Sequence, residues 1–268
     1  MKSILITGAA GQLGRFLREG LRGRYRLRLM DIAPIAELGE GEEAVQADLT
    51  DEAALAEALA GQDAVIHLGA VSVEASWEDI LPNNIVGTYN IFEGARRAGV
   101  KRVLFASSNH AVGFYRRNQT IPVDVTVKPD GRYGVSKAFG EALASLYADK
   151  YGLQSFCIRI GNVTEEPLDV RRLSIWMSPR DFTQLVEIGI ERPDLHFEIV
   201  YGVSDNDRSW YDNSNALRLG YRPQDNSEAY AEAVIAKEPP HEPNDPEQVY
   251  QGGAFVGLEV GGDPSKTD

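Results

Sequence analysis

The stretch from Ser3 to Leu21, SILITGAAGQLGRFLREGL, constrains this chain more than any other. Ser3–Thr7 is apolar on both sides and rich in Ile and Leu, as a fully buried strand requires. Gly8-Ala-Ala-Gly11-Gln12-Leu13-Gly14 then turns the chain, and Leu13, Phe16, Leu17 and Leu21 recur at helical spacing. A strand, a glycine turn and a helix N-terminus together make an anion site. Backbone N–H groups and the positive end of the helix dipole converge on a pyrophosphate, and the missing Cβ atoms let it come close. Gly8, Gly11, Gln12, Leu13 and Gly14 are therefore candidate cofactor contacts.

The spacing G-x-x-G-x-x-G is not the G-x-G-x-x-G fingerprint, and such turns also occur without ligands. The next stretch of chain is decisive. A second apolar strand, Arg26–Met30, ends at Asp31, about 20 residues on, where a ribose-binding carboxylate is expected. A carboxylate there accepts from ribose hydroxyls and repels a 2′-phosphate. At about 4 Å and an effective dielectric near 20, each opposing unit charge costs roughly 4 kcal/mol. The expected cofactor is NAD, with Arg15 and Arg28 the side chains able to offset that selection.

Further strands are expected at Ala44–Ala47 (ending at Asp48), Ala64–Leu68, Arg102–Ser107 and Ser155–Ile160. Helices are expected at Asp51–Leu59, capped by Thr50 or Asp51, at Trp77–Arg97 with a break at Pro82, and at Tyr133–Lys150. This alternation implies an α/β, Rossmann-type, doubly wound parallel sheet whose strand-ending loops open on one edge. Gly69–Ser72, Ser107–His110 and Gly161–Thr164 then face one crevice. Beyond residue 165 the pattern loosens to a helix at Pro179–Ile190, a strand at Leu195–Val200 and a helix at Ser227–Ile235. The expected division is a dinucleotide-binding core (1–165), a small substrate-binding portion on the same domain (166–235) and an extended tail (236–268). Residues 249–260 of that tail would dock or join a partner subunit, which points to a homo-oligomer.

Apolar residues make up 43% and charged residues 25% of 268, as in an ordinary globular protein. The net charge of −13 argues against nucleic acid and anionic membrane surfaces as partners. The single cysteine, Cys157, lies in the apolar run Phe156-Cys157-Ile158, so no disulfide forms within the chain. With no signal peptide and no apolar run of membrane-spanning length, a cytoplasmic location is expected. The four histidines show no metal-ligand spacing, so no catalytic metal is expected.

Tyr133-Gly-Val-Ser-Lys137 opens the long helix, and an i, i+4 pair shares one helix face. A phenol with pKa near ~10 is a poor base at neutral pH, but an adjacent ammonium favours its phenolate. Lowering that pKa by two or three units takes about 3–4 kcal/mol, within reach of two cations in a water-poor crevice. Ser108 follows a strand into the same crevice and can hold a substrate oxygen while Tyr133 takes its proton.

Together these residues resemble the extended short-chain dehydrogenase/reductase family. The likeness covers roughly residues 1–235 through TGAAGQLG, Asp31, ADL at 47–49, HLGA at 67–70, NIVGTYN at 84–90, ASSNHAVG at 106–113 and YGVSK at 133–137. Two features depart from it. The substantial C-terminal domain of nucleotide-sugar members is missing, and Ala111-Val112-Gly113 stands where they have Val-Tyr-Gly. Within the family, FASSNHAVG, PDGRYGVSKAFGE, RIGNVTEEP and WYDNSNALRLGYRP resemble members that oxidise glucuronate and galacturonate at C1 to the aldarolactone.

The resemblance implies Tyr133 as general base with Ser108 and Lys137, the lysine also fixing the nicotinamide ribose. It implies Asp48 and Leu49 beside the adenine, with Leu68, Gly69, Ala70, Val71 and Val163 along the rest of the groove. It places Arg171 on the substrate carboxylate, and Ser72, Ser108, Asn109, His110 and Asn162 on sugar hydroxyls. A bidentate guanidinium is the efficient way to hold a carboxylate on so negative a protein. Two rival readings remain: a nucleotide-sugar epimerase or dehydratase that retains NAD, disfavoured by the missing domain, and a dinucleotide sensor, which would need neither Tyr133 nor Lys137.

Overall fold

The computed structural model describes every residue except Pro243, Val260, Pro264, Ser265 and Asp268. β1 (Ser3–Thr7), α1 (Gln12–Leu21), β2 (Arg26–Asp31) and β3 (Glu42–Gln46) open the chain, followed by α2 (Glu52–Leu59) and β4 (Ala64–His67). α3 (Trp77–Ile80) passes through a π-helical turn, Leu81–Val86, into α4 (Gly87–Ala98). Then come β5 (Arg102–Ser108), α5 (Arg132–Tyr151), β6 (Gln154–Ile160), β7 (Asn162–Val163), α6 (Arg172–Ile175), β8 (Trp176–Met177), α7 (Pro179–Glu191) and β9 (Phe197–Gly202).

Seven strands form one sheet in the order β3-β2-β1-β4-β5-β6-β9, and every pair in it is parallel. The chain order reverses between β1 and β4, which makes their carboxyl ends the switch point where ligands bind in such sheets. Period-2 alternation sends Ile4, Ile6, Ala64, Ile66, Leu104, Phe156 and Ile158 to the face covered by α1 and α7. Leu5, Val65, Val103, Phe105 and Cys157 go to the opposite face, under α2, α4 and α5. Both faces are dry, so these strands read as continuous apolar runs.

β3 begins two residues earlier than expected because an edge strand needs only its backbone ladder. Its Glu42 is tied to Arg18 and Arg22, and Glu43 to Arg28. The break expected at Pro82 is the π-helical turn: its second residue has no N–H, and the wider turn passes that gap without ending the helix. Asp51, not Thr50, caps α2, accepting from Ala53 N and Ala54 N at 3.1 Å each.

Two expected boundaries differ. Pro179–Gly202, expected within the substrate-binding portion, supplies α7 and the seventh strand of the central sheet. The tail expected to be extended is folded over residues 246–257, with helical turns at Pro246–Val249 and Ala254–Gly257. Tyr250, Gln251 and Val256 are buried, and Gln251 N and Gly252 N donate at 2.8 Å to Tyr115 O and Gly113 O. An aromatic and three buried small or apolar residues in that stretch dock it back onto its own chain. No helix among the described residues is long and apolar enough to cross a membrane.

Candidate active site

Two cavities open at the carboxyl edge of the sheet and meet at Ser72, which lines both. The first, about 570 Å³, runs over the switch point and is lined by Gly8, Gly11, Gln12, Leu13, Asp31, Asp48, Leu49, Leu68, Gly69, Ala70 and Val71 among others. Gly8 has φ +69°, and a Cβ there would lie 2.7 Å from Gly69 N. Gly14 lies beneath the turn, where a Cβ would meet the Ala9 backbone at 2.5 Å. The turn can exist, and approach β4, only with glycine at both.

Asp31 sits at the end of β2, its oxygens accepting from Ala10 N (2.9 Å) and Ala33 N (3.0 Å). The counter-charge that Arg28 could supply is engaged elsewhere, with Glu43 and with the carbonyls of Ala58 (2.8 Å) and Ala60 (3.0 Å). Thr50 holds Asp48 below the usual carboxylate range, donating from its N–H (2.8 Å) and hydroxyl (2.7 Å). Val163 is not on the wall of this cleft; it is buried in the core beside Met177, where the β7–β8 pair carries it. Sequence reasoning missed Asn84, delivered by the π-helical turn. Its amide clamps Val71 N (2.9 Å) and Val71 O (3.0 Å) and reaches Ser136 Oγ (3.1 Å), tying the cleft loop to α5.

The second cavity, about 550 Å³, is bounded by Ser72, His110, Asn162, Arg171 and, from the folded-back tail, Gly252–Phe255. Tyr133 and Lys137 come from the first turns of α5 and are buried, as are Ser108 and Asn109. Lys137 Nζ donates to Ala106 O at 2.7 Å and lies 5.3 Å from the centre of the Tyr133 ring. Burial pulls the Lys137 ammonium down to about 8. Burial pushes the Tyr133 phenol up to about 12, against the pull of the Ser108 hydroxyl and helped by the charge of Asp130. Glu74 fixes the start of this helix: its carboxylate accepts from Arg132 N and Tyr133 N at 2.9 Å each, a cap that Gly131 cannot supply. Nothing local in the sequence marks Glu74 for that task.

Arg171 is an oriented guanidinium. Its Nε donates to Gln251 O at 2.8 Å. The Asn109 amide, set so that its nitrogen donates to Ile160 O (3.1 Å), accepts from Arg171 Nη2 at 2.9 Å. Asn109 therefore stands behind the guanidinium, while among the described residues Nη1 and a second hydrogen on Nη2 remain for a carboxylate. Asp130 and Phe255 also escaped sequence reasoning: the ring of Phe255 stacks on His110 at 3.9 Å between centroids. A phenylalanine in a glycine-rich tail gives no signal of that contact.

A family model described as the NAD dependent epimerase/dehydratase family matches residues 4–168. The chain belongs to this epimerase/dehydratase family. Among relatives, a uronate dehydrogenase from Pseudomonas putida is 48% identical over 255 residues, 94% of this chain and 95% of that one. Among solved structures of the family, a tyrosine-to-alanine mutant of Agrobacterium tumefaciens uronate dehydrogenase complexed with NAD matches with a TM-score of 0.92. It shares 46% identity and covers 96% of this chain and 97% of its own. Glucuronic acid dehydrogenase from Chromohalobacter salexigens gives 0.93, at 42% identity and 99% of both chains.

Proposed function

We propose that this epimerase/dehydratase family member is an NAD-dependent dehydrogenase that oxidises a uronic acid, glucuronate or galacturonate, at C1. The observation that carries this reading is Arg171: a guanidinium braced by Asn109 and Gln251, with its open edge in a sugar-sized cavity beside a dinucleotide cleft. Uronate dehydrogenases aligned over nearly the whole chain support it.

Gly8, Gly11 and Gly14 shape the cradle for the pyrophosphate at the N-terminus of α1, and Asp31 takes the ribose hydroxyls. NAD, when bound, accepts the hydride that leaves C1. Arg171 grips the substrate carboxylate, and Ser72, His110 and Asn162 line the space for its hydroxyls. Tyr133 Oη takes the proton of the C1 hydroxyl, with Ser108 Oγ holding the same oxygen. As C1–H and O–H break, the C1=O double bond forms within the ring ester of the aldarolactone. Lys137 stabilises the phenolate and would hold the nicotinamide ribose of bound NAD. Large side chains left in solvent on α4 and α5, Tyr89, Leu146 and Tyr151, support assembly into a homo-oligomer. The requirement for a cellular dinucleotide pool supports a cytoplasmic location.

The test is NAD reduction across uronic acids and neutral aldoses, with Arg171→Ala beside the wild type. Loss of one partner of a desolvated ion pair costs about 3–5 kcal/mol. The uronate KM should therefore rise by roughly 100-fold or more, with neutral aldoses changed only a few-fold. Equal effects on both sugar classes would place the carboxylate elsewhere.

A further inference from the structure

The proposed reaction puts His110 on the cavity wall but gives no role to its buried partner, Asp130. Asp130 Oδ2 lies 2.7 Å from His110 Nδ1, and the Asp130 side chain is 0% exposed. Among the described residues its other oxygen, Oδ1, has no partner. Two glycines from distant parts of the chain make room for it, since a Cβ on either Gly113 or Gly252 would collide with Oδ2. These two glycines are themselves joined, Gly252 N donating to Gly113 O at 2.8 Å. Loop and tail thus close around a desolvated carboxylate, which is costly to bury without a strong bond to hold it.

The imidazole is held from the other sides as well. Phe255 stacks on it at 18° between planes and Tyr133 meets it edge-on at 5.8 Å, while the backbone N–H of His110 donates to Ser108 Oγ at 3.2 Å and fixes the residue's main chain. Ring position is therefore set by packing, and what remains is which nitrogen carries the hydrogen. A carboxylate only accepts, so a neutral imidazole facing it must place its hydrogen on Nδ1. Among the described residues nothing pairs with Nε2, and His110 lines the sugar cavity.

We propose that Asp130 is a positioning residue: it fixes the Nδ1–H tautomer of His110, so that Nε2 meets the substrate as an acceptor for one sugar hydroxyl. This rests on the uronate reading of the same cavity. A hydroxyl that donates to Nε2 keeps its lone pairs for the donors on the rest of the cavity wall. The wrong tautomer would set donor against donor throughout that contact.

The first test needs no variant at position 130. In full-length protein labelled with ¹⁵N-histidine, the His110 resonances, identified by their loss in His110→Gln, should show Nδ1 protonated and Nε2 bare at neutral pH. The opposite tautomer, or a ring protonated at both nitrogens, overturns the proposal. Second, Asp130→Ala removes the acceptor facing Nδ1 and should raise the uronate KM about tenfold or more, one hydrogen bond's worth, while NAD affinity stays unchanged. Placed on His110→Gln, the same change should add nothing. Additive losses would mean a general structural role and sink the assignment, as would an unchanged KM. If wild-type protein oxidised no uronate, the functional reading would fail while the tautomer measurement still stood.

Discussion

The Lys137 ammonium meets the Ala106 carbonyl at 2.7 Å, the Phe105 ring at 5.1 Å and the Tyr133 ring at 5.3 Å. In the free protein the phenol stands near 12 and the ammonium near 8, both driven there by burial, which disfavours either charge. Proton loss from Tyr133 beside a protonated Lys137 relieves both, because each charge then has its opposite close by. Activity should rise with pH as the phenol ionises and level off well below 12. Lys137→Met should move that rising limb upward by at least about one unit, worth ~1.4 kcal/mol, and lower kcat at neutral pH about tenfold or more. A pH–rate profile with an unmoved limb would deny the lysine this role. At this scale Tyr133, Lys137 and Ser108 were legible because one motif puts the first two a helical turn apart and a strand end delivers the third. Glu74, Asn84, Asp130 and Phe255 were not, because each acts across a tertiary gap that no local spacing announces.

Among the elements, the β1 turn into α1 tolerates least. Gly8 combines φ +69° with a backbone neighbour 2.7 Å from any added Cβ. Gly8→Ala forces a left-handed backbone on a residue with a Cβ, which costs about 1–2 kcal/mol, and must also push β4's loop away from the cleft. Urea unfolding should show a loss of at least that size, and NAD titration a dissociation constant raised about tenfold or more. Unchanged NAD binding in a folded variant would show that the cleft does not depend on this turn. Strands buried on both faces and helices with glycine stops at Gly99 and Gly152 were readable to within a residue or two, since burial and capping are written locally. The two-residue strands β7 and β8 were not, and β3 and the π-helical turn were readable only in place, as a strand at 44–47 and a break at Pro82. Their formation is decided by partners distant in sequence, and they carry no apolar period.

In the whole molecule, the same sheet edge receives both ligand cavities, and the tail returns across 100 residues or more to wall one of them. That residues 249–260 would dock was expected, but not where: a stretch rich in proline, glycine and acids names no partner surface. The only thiol of the protein gives this architecture a clock. Cys157 is fully buried in the middle of β6, pressed between layers, and burial holds its thiol well above the ordinary range. A maleimide can reach it only when the central layers part, so alkylation should run at the frequency of that opening. Saturating NAD should slow the labelling by the factor 1 + [L]/Kd, about a hundredfold at a hundred times Kd. A rate indifferent to the dinucleotide would mean that β6 comes loose while the cleft stays whole. The sequence thus carries its own footprinting probe, one sulfur atom that times how often the enzyme comes apart.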